Sequence, residues 1–236
     1  MVLNMRLAGL RNTSLLDFPD RISAVVFTRG CNFSCGYCHN SQLIPMKAPP
    51  GDEDLPEDIF FSFLEKRRDL LDGVTITGGE PTLQPDLKDF IVKIREKHNL
   101  QIKLDTNGTD SKKIIELLED GLLEYIAMDV KLGLDSYPLL APKGVIPEIK
   151  KSVELIKNSN IDYEFRATVV PGMHDEKELN EIGRIVEGAE KFFIQNFRPV
   201  NTLDPKLRES RTFAPSELKK FKYVMENYVS KVKIRN

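Results

Sequence analysis

Ile22-Ser-Ala-Val-Val-Phe-Thr-Arg-Gly-Cys31-Asn-Phe-Ser-Cys35-Gly-Tyr-Cys38-His-Asn40 decides how this chain is read. Ile22 to Thr28 is an apolar, β-branched run of strand length. It opens directly into Cys-x-x-x-Cys-x-x-Cys, and Cys31, Cys35 and Cys38 are the only cysteines among 236 residues. Three thiols in one short loop suit metal binding in a reducing compartment better than a disulfide framework. Thiolates are the usual ligands of iron–sulfur clusters, and a cubane normally takes four. Three leave one iron without a protein ligand, and an open coordination position is where chemistry occurs. The competing reading is a Cys₃His zinc site completed by His39, but zinc sites generally pair two ligand doublets across a longer spacer.

Outward from this stretch, short β-rich runs alternate with amphipathic helices. The strands are expected at Ile22–Thr28, Val74–Thr77, Ile102–Asp105, Tyr125–Lys131, Tyr163–Val170 and Phe192–Phe197. Helices are expected after Pro56, near Pro85, after Asp110 or Ser111, around Ile149–Ile156, at Glu176–Val186 and after Pro215. Such alternation implies parallel strands joined by right-handed crossovers. Polar or glycine-rich motifs follow the first four strands at their C-terminal ends, the rim that carries the active site in α/β barrels. A dinucleotide-type sheet would instead place a glycine fingerprint after its first strand, where this chain has cysteines. The expected fold is an incomplete (β/α)6 TIM-like barrel of parallel strands.

Hydrophobic residues make up 41% and charged residues 30%, with a formal net charge of −2. That balance gives no electrostatic reason to invoke nucleic acid or an anionic membrane. The longest apolar runs are strand-sized, and the N-terminus has no sustained apolar segment with a cleavage site. A cytoplasmic protein with one domain over 1–236 is expected, its core at about 20–200 and a C-terminal helix and tail at 201–236.

Three further features carry polar chemistry. Gly78-Gly79-Glu80-Pro81 on its own is a tight turn. Asp105-Thr106-Asn107-Gly108 and Met128-Asp129-Val130-Lys131 put two carboxylates at one rim, where they repel unless Lys131 or a bound ion lies between them. Arg166 in an apolar strand needs a partner, either a rim carboxylate or a group near a cofactor. His98 is expected at the surface of a helix end, and His174 in a loop at the cysteine rim.

The cysteine loop, with aromatic Tyr37 before its last cysteine, resembles the signature of the radical S-adenosylmethionine superfamily. The resemblance implies a [4Fe–4S] cluster on Cys31, Cys35 and Cys38, with S-adenosylmethionine chelating the fourth iron through its amino and carboxylate groups. An electron from the cluster then splits a sulfonium C–S bond, giving methionine and a 5′-deoxyadenosyl radical. Gly78, Gly79 and Glu80 look like the family motif that receives the methionine amino group. By the same resemblance Tyr37, His39, Asp105, Asn107, Asp129, Val130, Lys131 and Arg166 contact the cofactor. Asp105, Thr106, Met128 and Asp129 match residues that surround a monovalent cation.

These segments, together with Gly9-Leu10-Arg-Asn-Thr-Ser-Leu-Leu-Asp17-Phe18-Pro19, look like the glycyl-radical-enzyme activases, in particular the branch that activates anaerobic ribonucleoside-triphosphate reductase. The resemblance implies hydrogen abstraction from a glycine Cα of that partner and an electron donor of the flavodoxin or ferredoxin kind. One departure stands out. The pyruvate formate-lyase type has a cofactor-contacting histidine near its sixth strand, where this chain has Gln195-Asn196-Phe197-Arg198. With no cysteine outside the loop, a second conventional cluster has no ligands. The alternatives are an activase of the pyruvate formate-lyase type, a radical S-adenosylmethionine enzyme acting on a small molecule as in the deazapurine synthase branch, and a zinc-binding module.

Overall fold

The computed structural model describes residues 5–142 and 144–235. Eight strands, β1 (Leu7–Ser14), β2 (Ser23–Thr28), β3 (Gly73–Gly78), β4 (Gln101–Thr106), β5 (Tyr125–Asp129), β6 (Asp162–Val169), β7 (Lys191–Asn196) and β8 (Lys231–Arg235), follow chain order along the sheet. The six expected strands are β2 to β7. Helices α1 (Glu57–Arg67), α2 (Leu87–His98), α3 (Ser111–Glu119), α4 (Ile146–Lys157), α5 (Glu176–Ile185) and α6 (Pro215–Met225) occupy the expected places. β2 pairs parallel with β3, β3 with β4, β6 with β7, and β7 with β8.

Two strands were not anticipated. β1 lies antiparallel to β2 and buries only Leu7 and Ser14 fully, so it shows no alternation of apolar residues. β8 does alternate, as Lys231-Val-Lys-Ile-Arg235, but two apolar residues are too few to mark a strand until β7 supplies its hydrogen bonds.

Contacts divide the chain into two compact units that interleave in sequence. The first comprises the chain to Asn32, Gln42–Thr106 and Lys112–Ile126, and the second Phe33–Ser41, Asn107–Ser111 and the chain from Ala127. Each has its own apolar core. In the first, Val26, Val74, Ile76, Ile102 and Leu104 of the strands are buried, as are Phe60, Leu64, Phe90 and Ile94 of α1 and α2. In the second, Phe165, Ala167, Phe192 and Ile194 are buried, as are Ile149, Val153, Leu179, Ile182 and Leu218 of α4, α5 and α6. The helices bury one stripe each, as amphipathic helices over a sheet do.

His98 departs from expectation. It is buried at the end of α2, its ring 6.1 Å from that of Phe61, and neither ring nitrogen makes a hydrogen bond among the described residues. α2 turns its last residue inward before Asn99 ends the helix in the left-handed conformation.

Candidate active site

In the first unit the chain leaves β2 through Arg29, Gly30 and Cys31, whose three amides are all engaged. The amides of Arg29, Gly30 and Cys31 donate to the carbonyls of Arg6, Leu43 and Ile44 at 2.9, 2.7 and 3.0 Å. The Arg29 carbonyl accepts from Gln84 Nε2 at 2.6 Å, and the Gly30 carbonyl from the Glu80 amide at 2.8 Å. The Arg29 side chain is wholly buried, its guanidinium donating to Asp54, to Asp52 at 2.8 Å and to the Gln42 carbonyl at 3.3 Å. Burial opposes its charge, yet the two carboxylates leave its pKa above the ordinary value.

The Gly-Gly-Glu turn is shaped by this neighbour. Gly78 has φ +122°, and a Cβ at Gly79 would overlap the Gly30 carbonyl, so neither position tolerates a side chain. Glu80 is buried. Its Oε1 accepts from the Thr82 amide at 3.1 Å, from Thr82 Oγ1 at 2.6 Å and from Thr106 Oγ1 at 2.7 Å, tying the turn to the end of β4. Asp105 pairs with the buried Lys103, whose ammonium lies 5.8 Å from the Tyr125 ring centre.

In the second unit the loop continues through Cys35 and Cys38, the former buried and both free thiols. It is held by the Ser34 amide on the Leu140 carbonyl, the Cys38 amide on the Cys35 carbonyl and the Asp204 amide on the Gly36 carbonyl, at 2.9, 2.9 and 2.8 Å. His39 Nε2 donates to the Arg198 carbonyl at 2.8 Å, with its ring 6.1 Å from Phe197. Asn107 is buried and bonds Thr109, while Met128 packs against Gly108.

Charge is concentrated at the ends of β5 and β6. Asp129 accepts from Arg166 Nε at 2.5 Å and from Lys131 Nζ at 2.9 Å. Burial pushes the Asp129 carboxyl up, but the two cations hold it well below the usual carboxylate range. Burial likewise disfavours the Lys131 ammonium, and Asp129, Cys35 and Tyr37 reverse this and raise it. Burial raises the Cys35 and Cys38 thiols, and Lys131 pulls both toward thiolate. The rim carboxylate at Asp129 therefore has the Lys131 partner foreseen for it, with Arg166 as a second.

Tyr137 carried no sequence signal for a role in this unit, and His174 only its expected place in a loop at the cysteine rim. The Lys131 amide donates to Tyr137 Oη at 3.0 Å, and the Lys131 carbonyl accepts from His174 Nε2 at 2.9 Å. His174 Nδ1 accepts from the Val170 amide at 3.1 Å, so the buried ring is neutral with its proton on Nε2. Burial also lowers its pKa. The peptide that carries Lys131 is thus fixed on both sides. Val130 is buried, its amide donating to the Arg166 carbonyl at 2.9 Å.

The donor set suits a cluster better than one zinc ion. Three free thiols are the donor type of an iron–sulfur cluster, each holding its own iron, whereas a zinc tetrahedron would need a fourth donor on the same ion.

Comparison with known proteins accords with this chemistry. The profile of the radical SAM superfamily matches residues 25–182. A protein of Methanocaldococcus jannaschii, provisionally named a glycyl-radical enzyme activating enzyme, is 32% identical over 97% of this chain and 95% of its own. The pyruvate formate-lyase-activating enzyme of Clostridium pasteurianum is 27% identical over 94% of this chain and 97% of its own. In fold, the crystal structure of Streptococcus suis SuiB bound to S-adenosylmethionine superposes with a TM-score of 0.61 at 19% identity, covering 88% of this chain and 48% of that one. The parallel α/β sheet is the partial-barrel core expected from the strand pattern. Since the profile runs from within β2 to within α5 and a relative 32% identical is matched over 97% of this chain, the protein belongs to the radical SAM superfamily.

Proposed function

We infer that this protein is a glycyl-radical-enzyme activating enzyme. The observation that carries the reading is the similarity to activating enzymes over nearly the whole of both chains. Cys31, Cys35 and Cys38 would hold a [4Fe–4S] cluster, and the residues at the strand ends would hold S-adenosylmethionine. These groups supply, when bound, one-electron cleavage of a C–S bond and hydrogen abstraction from a C–H bond. The chain's own residues provide charge and exclusion of water. Lys131 favours thiolate at Cys35 and Cys38, and the Asp129–Arg166 pair sets a carboxylate and a guanidinium where an amino-acid moiety needs complementary charge. The Gly78–Glu80 turn offers backbone groups at close approach. Tyr37, His39, Asp105, Asn107 and Val130 complete the proposed contacts.

For the partner, the Gly9–Pro19 opening favours an anaerobic ribonucleoside-triphosphate reductase, with a flavodoxin or ferredoxin as donor. The similarity to the Clostridium pasteurianum enzyme supports pyruvate formate-lyase equally. A monovalent cation at Asp105, Thr106, Met128 and Asp129 would compete with the ammonium and guanidinium partners those carboxylates already have. Replacing K⁺ and Na⁺ by a bulky organic cation tests it, because unchanged activity removes the site.

The function is tested by anaerobic reconstitution with iron and sulfide, reduction with dithionite and addition of S-adenosylmethionine. Formation of 5′-deoxyadenosine is expected, followed by a glycyl-radical doublet in electron paramagnetic resonance when either partner is added. A colourless protein that leaves S-adenosylmethionine intact would overturn the reading.

A further inference from the structure

In the first unit, β4 sets two charged residues on one face, Lys103 and Asp105. A lysine inside a strand is seldom buried, yet Lys103 is only 3% exposed. Its ammonium donates to Asp105 Oδ1 and lies 5.8 Å from the centre of the Tyr125 ring. Register puts Lys103 beside Thr75 of β3, whose hydroxyl bonds that of Ser23 at 3.5 Å. Among these neighbours Asp105 alone is negative, so it is the counter-charge that lets the ammonium stay buried.

A monovalent cation on Asp105, Thr106, Met128 and Asp129 is what the family resemblance implies, and the donor set does not suit it. Thr106 Oγ1 already donates to Glu80 at 2.7 Å. Met128 offers only a soft thioether, a weak acceptor for a hard ion. In the second unit Asp129 has Lys131 and Arg166 as partners. The two carboxylates therefore already have three side-chain cations, and a further cation would meet net positive charge. At Asp105 an ion would also have to displace an ammonium tethered two residues away on the same strand. A tethered group competes at a fixed effective concentration, and its displacement would leave a buried ammonium without a counter-charge.

We propose that Lys103 is the built-in cation of Asp105, standing where a free alkali ion would otherwise bind, so that this protein works without one. Lys103 acts through Asp105 and is a positioning residue. The proposal rests on the activase reading for its rate measurement alone.

The test compares KCl, NaCl and choline chloride at equal ionic strength, anaerobically, on the full-length reconstituted protein with dithionite and S-adenosylmethionine. Two quantities are read, the midpoint of thermal unfolding and the rate of 5′-deoxyadenosine formation. For the wild type neither should depend on which salt is present. For Lys103→Met the rate in choline chloride should fall about tenfold, as for groups that orient a metal centre. K⁺ or Na⁺ should restore that rate with saturation and raise the unfolding midpoint, as a ligand of the folded state does. Lys103→Arg keeps the charge and should stay indifferent to the salt. A saturable gain of the wild type in K⁺ or Na⁺ would overturn the proposal, as would a Lys103→Met protein that responds alike to all three salts. Should that variant fail to fold, the wild-type comparison still decides. A wild type that forms no 5′-deoxyadenosine overturns the activase reading, whereas the unfolding midpoints test Lys103 without it.

Discussion

The Gly-Gly-Glu corner and the Asp129–Arg166 corner are both polar strand ends, yet they are built in opposite ways. In the first, backbone amides and carbonyls are paired, and Glu80 is buried among hydroxyls and an amide. In the second, the side chains are charged, partly accessible and set against free thiols. A turn whose groups are already bonded gains rigidity but has little left to give a ligand except its backbone. A charged, half-open cluster keeps electrostatic work in reserve at some cost in stability. Substitutions in the first corner should therefore act mainly on folding, and those in the second mainly on activity.

The largest expected effect lies outside both corners. Cys35→Ala should abolish cluster absorbance after reconstitution and leave no detectable 5′-deoxyadenosine, and full activity in that variant would end the cluster assignment. Asp129→Asn leaves Arg166 and Lys131 without their shared anion. Its rate of 5′-deoxyadenosine formation should fall about 10- to 100-fold, as for groups that orient a metal centre, with some loss of stability that is smaller than that of Glu80→Ala. Glu80→Ala strands the Thr82 amide and two hydroxyls. A loss of about 2–4 kcal/mol in urea unfolding is expected, each stranded buried group costing about 1–3 kcal/mol at most. If Asp129→Asn proves the more destabilising of the two, the contrast between the corners fails.

The smallest effects concern buried histidines. Burial lowers the folded pKa of His98 and of His174 below the ordinary imidazole value. The unfolded chain then binds protons first, so the contribution of each to stability is complete above about pH 6.5 and is lost as pH falls through its folded pKa. Chemical denaturation from pH 8 to 5 should show this decline. His98→Phe should shrink it and add about 1 kcal/mol at neutral pH, because it removes two unbonded ring nitrogens from an aromatic site. A variant less stable than wild type would mean that the His98 Nδ1–Glu65 contact, 3.6 Å long, outweighs the burial of the ring nitrogens.

Much of the fold was legible because its signals are local. Runs such as Val74–Thr77 and Phe192–Phe197 are apolar over strand length, and the helical stripe of Leu87, Phe90, Ile91 and Ile94 recurs with the right period. β1 escaped because half of its residues face solvent, and β8 because its pairing depends on β7. Arg166 was legible as a residue in need of a partner, since an unpaired guanidinium in a strand is costly. Tyr137 and Arg29 were not, and His174 was legible only by its place at the rim, because each works through a backbone group or a carboxylate distant in sequence.

By itself, the amino-acid sequence determined the ligand chemistry and the repeating strand–helix order, since thiol spacing and hydrophobic period are properties of neighbouring residues. Tertiary structure alone decided what each polar group meets: Lys131 and Arg166 on Asp129, Thr106 on Glu80, and Asp52 and Asp54 on Arg29. Charge pairing and exposure depend on which strands lie side by side and which face a helix covers, and those are set only when distant segments pack.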